Sequence, residues 1–578
     1  MSSEFQKFSL RNASAYSGRN AQLHEFLTRR QLALLDRNDA LREEIDSLEK
    51  LQVYTKTMRE TFIEKMGGIP KRDCPLNGKT TKVMDMGSYT IESVIFTARD
   101  GVYVPSSLYL PKGITEPSPA VLFLSGHTEE ARLGDQYQKV CQMLVGAELI
   151  VFAIDTAGQG ERRNFFDPVT GEHHSPGGVM DHDYCGILSL CTGRFLESYF
   201  MNDQYSAVDY MLTRKEIDPQ RIGITGCSGG GLQSLCMMTC DDRIAAAAPA
   251  TFTTTRREIM DTCQPQDSEQ IWPGCAVYGF DHFEPYMIFA PKPALMLTVS
   301  SDFFPIEGAY EVYDAAKKIY GLYGKEENLE IFEDSACHGY SLALANRAAE
   351  FFCRVFGIER QGGNTLQVLP LAEARVTATG NVKGDFADAR SIPEETALLA
   401  EECRKNRAGI SPKAWLREKV EYARLPRSPR PRIADEKNAV RTDGFVGRDM
   451  MWWVQEKLSA FGMLISADQP EAVSGSRPVV IALWDQGTKA IEAHEEWIRA
   501  QCADNRQVLV VDLPGVGCIE QSQLGVWGKY RDIYGTVYKL CCDLMYMDDS
   551  MAAMQTYHVL RTADMLREWF HAEDISLY

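Results

Sequence analysis

Ser228 is the residue whose setting most directly indicates chemistry. It lies in the turn of residues 226–230, which reads Gly-Cys-Ser-Gly-Gly. Residues 221–225 are a short apolar run typical of a strand, and residues 231–238 continue as a proline-free helix. A serine held between small residues in a sharp strand-to-helix turn exposes its hydroxyl, and the helix N-terminus favours negative charge beside it. The pattern therefore predicts that Ser228 is a nucleophile for acyl transfer.

A nucleophilic serine needs a general base, and the base needs a group that orients it. Where the serine stands in such a turn, the chain order is serine, then acid, then histidine. His338 follows the apolar run 329–332, whereas His282 precedes the run 294–299 and comes too early. We therefore predict His338 as the base. The predicted acid is Asp302, the first carboxylate after the run 294–299, and the competing acids are Glu307, Glu333 and Asp334.

The negative oxygen that forms during acyl transfer needs backbone N–H donors. One donor is expected from Gly229, which follows the nucleophile, and the other from His127, in the turn after the apolar run 121–124. We expect the His127 side chain itself to bond within its loop. The cysteines show no Cys-x-x-Cys pair or other zinc-ligand spacing, and no metal or organic cofactor is implied.

The pattern of apolar residues along the chain predicts the strands and helices that must position Ser228. Short apolar runs alternate with helix-length segments, which is typical of a parallel sheet buried on both faces. An antiparallel hairpin is predicted before them, at 89–96 and 102–110, with Asp100-Gly101 as its turn. Residues 20–66 have helical spacing and would pack within the chain or form an oligomer contact, so a homo-oligomer stays open. The apolar runs are 120–124, 149–154, 222–225, 294–299 and 329–332.

Part of this pattern returns near the end of the chain. Residues 478–483 echo 119–124, and 508–517 echo 151–160, with similar separations of 155 − 119 = 36 and 512 − 478 = 34 residues. This repetition predicts a second unit of the same fold. Residues 575–578 align with 222–225, so this unit has no nucleophile turn and the chain is expected to be truncated. The predicted domains are an N-terminal helical segment (1–80), a catalytic domain (81–357), a linker (358–440) and a second, incomplete unit (441–578).

Composition excludes several classes of protein. The chain of 578 residues carries a formal charge of -19, which disfavours binding to nucleic acid or to an anionic membrane surface. No run approaches 18 apolar residues, and the first residues lack the pattern of a signal peptide. The 16 cysteines are scattered through apparent core elements, as is typical of reduced thiols. We therefore expect a cytoplasmic protein.

Residues 60–357 resemble the acetyl xylan esterase and cephalosporin-C deacetylase branch of the α/β hydrolases. The resemblance implies the α/β-hydrolase fold and the removal of acetyl groups from sugars and related small esters. The Cys-Ser pair in the turn is also similar to glucuronoyl esterases, but those usually have arginine where this chain has Gly229. The motifs that carry the resemblance are Tyr-Val-Pro at 103–105, Leu-Tyr-Leu-Pro at 108–111, Ser-Gly-His at 125–127, Asp-x-x-Gly-x-Gly-Glu-Arg at 155–162, Ile-Asp-Pro-Gln-Arg-Ile-Gly at 217–223, Gly-Cys-Ser-Gly-Gly-Gly at 226–231 and Ala-Pro-Lys-Pro at 290–293.

These observations lead to a serine-dependent carboxylic ester hydrolase, with a small-molecule or oligosaccharide ester as its substrate. One alternative is a serine peptidase of the prolyl-oligopeptidase kind, although no β-propeller repeat accompanies the domain. The other is a non-catalytic binding protein of the same fold, because the second unit lacks a nucleophile turn. Residues 164–199, with His173, His174 and His182, would shape the substrate pocket or serve as a packing insertion.

Overall fold

The computed structural model describes residues 4–9, 18–264, 266–359, 365–407, 409–433, 439–468, 477–524 and 535–578. The chain divides into two compact units. One consists of Met1–Leu34 and Gly409–Tyr578, and the other of Leu35–Ala408. The boundary between residues 408 and 409 falls inside the predicted linker, whereas the one between residues 34 and 35 falls inside the predicted N-terminal helical segment. Independent folding of the four predicted domains stays a prediction. Among the described residues, no helix is long and apolar enough to span a membrane.

The unit Leu35–Ala408 is built on a nine-stranded sheet in the order β1-β2-β3-β5-β4-β6-β7-β8-β9. The first three strands and β5 pair antiparallel, and every pairing from β5 to β9 is parallel. The predicted hairpin and all five apolar runs are confirmed as strands, whereas β1 and β7 were not predicted. The strands are β1 (Lys79–Asp85), β2 (Tyr89–Arg99), β3 (Val102–Pro111), β4 (Ser118–Leu124), β5 (Ile150–Ile154), β6 (Ile217–Cys227), β7 (Ala246–Ala250), β8 (Ala294–Ser301) and β9 (Leu329–Cys337).

Both units contain helices in addition to their strands. Residues 20–66 form two helices, as their spacing predicts. Ser47 begins the second by accepting a hydrogen bond from Lys50 N. The helices are α1 (Gln22–Glu43), α2 (Leu48–Lys65), α3 (Asp135–Val145), α4 (Val179–Leu190), α5 (Leu196–Met211), α6 (Gly229–Cys240), α7 (Arg256–Asp261), α8 (Cys275–Tyr278), α9 (Phe283–Phe289), α10 (Ile306–Leu322), α11 (Leu342–Phe356), α12 (Leu371–Ala374), α13 (Val382–Asp385), α14 (Ile392–Asn406), α15 (Pro412–Glu421), α16 (Glu495–Ala503), α17 (Thr536–Tyr546) and α18 (Met551–Phe570).

Both faces of the nine-stranded sheet are covered, which explains why its inner strands are continuously apolar. Val151 and Ala153 of β5 join a core that also contains side chains of α3 and α11. Phe152, between them, points to the other face, where its ring stacks on Tyr210 of α5 at 5.1 Å. Because β4 to β9 are parallel, their carboxyl ends lie at the same edge of the sheet, and the loops that follow them meet there.

The other unit contains a second sheet in the order β10-β12-β13-β15-β14-β16, with β11 also paired to β12. Its run β13-β15-β14-β16 has the same order and the same strand directions as β3-β5-β4-β6. The strands are β10 (Pro431–Ile433), β11 (Val440–Thr442), β12 (Phe445–Gln455), β13 (Leu458–Ala467), β14 (Val479–Ala482), β15 (Gln507–Asp512) and β16 (Ile575–Leu577).

The registers of the two sheets also correspond. Ala120 lies opposite Ile150 on one side and Ile222 on the other. Val479 occupies the equivalent place, opposite Gln507 and Ile575. These are the pairs that the sequence correspondence of 478–483 with 119–124 predicts. The hairpin β12–β13, which corresponds to β2–β3, was not predicted.

Trp452 of β12 provides a stability test for the C-terminal unit. It is fully buried, and its indole N–H donates to Thr562 Oγ1 at 3.2 Å. We expect Trp452→Ala to lower the free energy of unfolding by about 3–5 kcal/mol, because a large cavity forms. Trp415→Ala, at a half-exposed position of α15, should change it by no more than about 0.5 kcal/mol. Urea unfolding followed by circular dichroism would contradict this if both variants shifted the midpoint equally.

Candidate active site

Ser228 lies at the junction of β6 and α6, as the sequence predicts. Its backbone has φ 56° and ψ -117°, a positive-φ conformation that costs energy for any residue with a Cβ. The Ser228 N–H donates to Ala250 O of β7 at 2.9 Å, so the neighbouring strand holds the turn in place. Ser228 itself is half-buried. The turn therefore presents a serine hydroxyl at the carboxyl edge of the parallel sheet.

Glycine is required on both sides of Ser228. A Cβ at Gly226 would lie 2.4 Å from Gly230 O and 2.6 Å from Leu124 O. A Cβ at Gly230 would lie 2.1 Å from Leu124 O. Because these contacts are to backbone atoms, no side-chain rotation could relieve them. The end of β4 therefore packs directly against the turn.

Asp302 and His338 are brought together at the same edge of the sheet. Asp302 directly follows β8 and His338 directly follows β9, which are parallel neighbours. His338 Nδ1 and Asp302 Oδ1 are 2.8 Å apart, and the Phe304 N–H also donates to Asp302 Oδ1 at 3.1 Å. The Asp302 side chain is buried, while that of His338 keeps 24% of its surface exposed. A buried carboxylate thus orients an accessible imidazole. Ser228 and His338 form no hydrogen bond with each other within the described residues.

Two of the competing acids have other partners. Glu333 accepts hydrogen bonds from the hydroxyls of Ser300 at 2.5 Å and Tyr310 at 2.8 Å. Asp334 accepts one from the Ser341 hydroxyl at 2.5 Å, at the start of α11. Both carboxylates lie on β9 and not in the loop after β8. Their geometry favours structural roles.

His282 is a core histidine. Its Nδ1 accepts the Thr254 N–H at 3.2 Å, and its ring stacks on Phe252 at 4.9 Å. Burial and the nearby Arg256 hold the pKa of His282 well below its ordinary value. The imidazole is therefore neutral and enclosed.

The two predicted backbone donors also lie beside the turn. Gly229 is the first residue of α6, so its N–H has no acceptor within the helix. A Cβ placed on Gly229 would lie 3.1 Å from His127 Cε1, and one placed on Gly126 would lie 3.2 Å from Ser228 Cβ. The loop after β4 and the start of α6 therefore face one another next to Ser228.

The side chain of His127 belongs to a cluster that the sequence does not predict. His127 Nε2 lies 3.0 Å from His182 Nδ1 and 3.2 Å from Glu269 Oε1. His182 Nδ1 lies 3.3 Å from Glu269 Oε2. We call these three residues the His–Glu cluster. Of the three histidines in residues 164–199, His182 reaches the site, whereas His173 and His174 are exposed.

The His–Glu cluster is strongly charged for a buried place. Burial disfavours a charge on His127, but Glu269 and Asp267 outweigh it and raise the pKa of His127 to about 9. Burial and the neighbouring Glu269 raise the pKa of Asp267 to about 8. Burial opposes the charge on Glu269, yet His127 and His182 lower its pKa. The expectation that the His127 side chain bonds within its loop is not met, because its partners come from α4 and from the segment before α8.

Comparisons with known proteins agree with this geometry. Residues 74–263 match the family described as "Acetyl xylan esterase (AXE1)", and residues 196–357 match the "Prolyl oligopeptidase family". "Putative hydrolase YtaP" of Bacillus subtilis strain 168 is 24% identical over 313 residues, which are 51% of this chain and 97% of that protein. The solved structure of "Methylesterase BT1017" is 19% identical, covers 65% of this chain and 81% of its own, and superimposes with a TM-score of 0.50. A "putative acetyl xylan esterase" from Bacteroides fragilis NCTC 9343 is 19% identical, with coverages of 50% and 77% and a TM-score of 0.43.

The sheet order, the turn at Ser228, the two family matches and the likeness to the methylesterase structure define an α/β hydrolase. Within that class the chain is acetyl xylan esterase-like, with the match to that family lying inside the unit Leu35–Ala408. It is an enzyme of the carboxylic ester hydrolase type. The fold class and the family resemblance inferred from the sequence are thereby confirmed.

Gly230→Ala tests the packing of β4 against the turn. The added methyl would overlap the Leu124 carbonyl, so we expect the variant to lose about 1–3 kcal/mol or more of stability. Gly134→Ala is the control, because the atom nearest to its added Cβ would be Ala131 O, at 3.3 Å, and its φ is negative. Thermal unfolding measures both. Equal melting temperatures for the two variants would show that the close approach is not maintained in solution.

Proposed function

We propose that the chain hydrolyses acetyl esters of sugars or similar small esters, with Ser228, His338 and Asp302 as its catalytic residues. The observation that carries the proposal is the 2.8 Å pairing of His338 with buried Asp302, on the sheet edge that also presents the Ser228 turn. The match of residues 74–263 to the acetyl xylan esterase family supports the substrate class. On this proposal, its partners are small-molecule or oligosaccharide esters.

The reaction proceeds in two halves. Ser228 Oγ attacks the ester carbonyl carbon while His338 Nε2 accepts the hydroxyl proton. His338 then gives this proton to the leaving alcohol oxygen, and the acyl group stays on Ser228. Water, deprotonated by the same imidazole, attacks the acyl-enzyme, and the proton passes to Ser228 Oγ as the acid departs. Asp302 holds the imidazole tautomer and stabilises its positive charge throughout.

The negative oxygen of each tetrahedral intermediate is bound by the N–H groups of Gly229 and His127. Both residues adjoin Ser228, and the α6 N-terminus adds a favourable dipole at this point. Such donors act where charge develops, and the loss of one typically costs on the order of 10²–10³ in turnover. Both donors are backbone N–H groups, which a side-chain substitution does not remove. A substitution at Gly229 or His127 would therefore test side-chain packing more than hydrogen bonding to the oxyanion.

A peptidase activity is the second candidate, because residues 196–357 match the prolyl oligopeptidase family. That match covers α5, the Ser228 turn, Asp302 and His338, which ester and amide hydrolases of this class share. The two activities make different demands on the leaving group. Turnover of p-nitrophenyl acetate and of aminoacyl anilides separates them, and strong anilide cleavage with negligible ester cleavage would favour the peptidase.

A cytoplasmic location is also proposed. All 16 cysteines lie within the described residues, and none of them forms a disulfide. Cys141, Cys236 and Cys353 are buried thiols in the unit that carries Ser228. Burial raises the pKa of Cys141 and of Cys236, so these thiols stay protonated and unreactive. Free thiols in this number suit a reducing compartment.

Ser228→Ala should abolish deacetylation and covalent labelling by a fluorophosphonate, because both require the serine oxygen. The control is Ser189→Ala, a buried serine of α4 whose hydroxyl bonds to Gly186 O at 3.0 Å. A screen of acetylated sugars and oligosaccharides, read as released acetate, measures the activity. If folded wild-type protein is not labelled at Ser228, this serine is not the nucleophile and the proposed set of catalytic residues is wrong.

Asp302→Asn tests the acid. An amide cannot stabilise the charged imidazole and disturbs its tautomer, so we expect kcat to fall by about 10²–10⁴ with a smaller effect on KM. Glu333→Gln is the matched control, because Glu333 bonds to Ser300 and Tyr310 on the same edge of the sheet and should retain most of the activity. Steady-state kinetics on p-nitrophenyl acetate decides. A larger loss from Glu333→Gln than from Asp302→Asn would reassign the acid.

A further inference from the structure

The His–Glu cluster takes no part in the proton transfers of ester hydrolysis, yet it directly adjoins the nucleophile turn. Its three residues come from the loop after β4, from α4 and from the segment between α7 and α8. The side chains of His182 and Glu269 are fully buried, and that of His127 keeps 12% of its surface exposed. We propose that His127, His182 and Glu269 bind one divalent transition-metal ion of the zinc class.

The spacing of the donor atoms suits such an ion. The distances between His127 Nε2, His182 Nδ1 and the Glu269 carboxylate oxygens are 3.0, 3.2 and 3.3 Å. A tetrahedral zinc ion with bonds of about 2.0–2.1 Å holds its ligand atoms about 3.3 Å apart. Two imidazoles and one carboxylate form a ligand set that zinc uses in catalytic sites, where a fourth position stays open. The three side chains therefore need little movement to enclose the ion.

The orientation of His182 is also that of a metal ligand. Its Nε2 donates to Ala157 O at 2.8 Å, so Nδ1 is the ring nitrogen that faces the cluster. The backbone fixes the ring further, because a Cβ on Gly158 would lie 2.6 Å from His182 Cδ2. Metal-binding histidines characteristically donate their second ring N–H to a carbonyl or carboxylate in this way.

Glu269 supplies an independent indication. Both of its carboxylate oxygens are buried, and neither has a hydrogen-bond partner among the described residues. A buried ionised carboxylate is costly unless a positive charge lies close to it, and a bound cation held between Glu269 and the two imidazoles would supply that charge. The nearest groups to these oxygens are the two imidazole nitrogens, which are the other proposed ligands.

The position of the cluster indicates what the open coordination site would meet. A Cβ on Gly229 would lie 2.5 Å from Glu269 Oε1 and 3.1 Å from His127 Cε1. The ion would therefore lie beside the first residue after the nucleophile. Its fourth ligand would be water or an oxygen atom of a bound ester or sugar. The sequence does not reveal this site, because His182 lies 55 residues after His127 and Glu269 lies far beyond both.

Zinc binding by the full chain tests the proposal. Chelator-treated protein is dialysed against limiting Zn²⁺, and bound zinc is measured by mass spectrometry. The control is His174→Ala, which changes an exposed histidine of the same segment as His182. Wild type and this control should each bind one equivalent of zinc more than the ligand variants Glu269→Gln and His182→Gln. Because 16 cysteines could hold zinc elsewhere, this difference is the relevant quantity. The two ligand variants should bind at least about tenfold more weakly. Equal zinc content in all four proteins would overturn the proposal.

A second measurement covers ligand variants that fail to fold. Co²⁺ added to chelator-treated wild type should give the visible absorption of a tetrahedral ion with nitrogen and oxygen ligands, and Zn²⁺ should raise its melting temperature. Co²⁺ absorption dominated by thiolate charge transfer would place the metal on cysteines. Either that result or the absence of any tetrahedral absorption would show that the His–Glu cluster is only an ion-paired network.

Discussion

The close approach between the end of β4 and the Ser228 turn is the constraint on which the site depends. A Cβ on Gly226 or Gly230 would lie 2.6 or 2.1 Å from Leu124 O. The backbone of β4 therefore meets the backbone of the turn with no side chain between them. This contact lets Ser228 adopt its positive-φ conformation beside the loop that carries His127. A Cβ on Gly126 would itself be 2.7 Å from Cys227 O. Glycines on both sides thus bring the nucleophile and the β4 loop within reach of one substrate.

Sequence reasoning could name the proposed catalytic residues because their positions follow chain order. Ser228, Asp302 and His338 each follow a strand of one parallel sheet, and parallel strands end at a common edge, so three short local patterns determined the predicted set. The strand β7 escaped prediction because its sequence, Ala-Ala-Ala-Pro-Ala, has no strand preference of its own. Pairing with β6 and β8 on either side makes it a strand.

The His–Glu cluster escaped for a different reason. Ligand motifs are recognisable when their residues share one helix or turn, whereas His127, His182 and Glu269 lie on three separate segments. Each residue alone fits a bland interpretation, as a loop histidine, a packing histidine and a surface acid. Only their distances of 3.0–3.3 Å, together with the burial of Glu269, distinguish them. Long-range proximity of this kind is a product of the fold and leaves no local pattern.

Comparison of the two sheets shows which features of the fold both units share and which belong to the unit that carries Ser228. Asp155 directly follows β5, and Asp512 is the last residue of the equivalent strand β15. In each case a glycine five residues later lies against the carboxylate, where a Cβ would come within 2.5 Å at Gly160 and 1.8 Å at Gly517. Both units therefore have the same close contact between this aspartate and the glycine of the turn that follows it. The correspondence of 478–483 with 119–124 places Asp485 where the first unit has Gly126. A Cβ at Gly126 would lie 2.7 Å from Cys227 O, whereas the corresponding Asp485 is exposed, so the loop after β14 lacks the glycine that lets the loop after β4 approach the nucleophile turn.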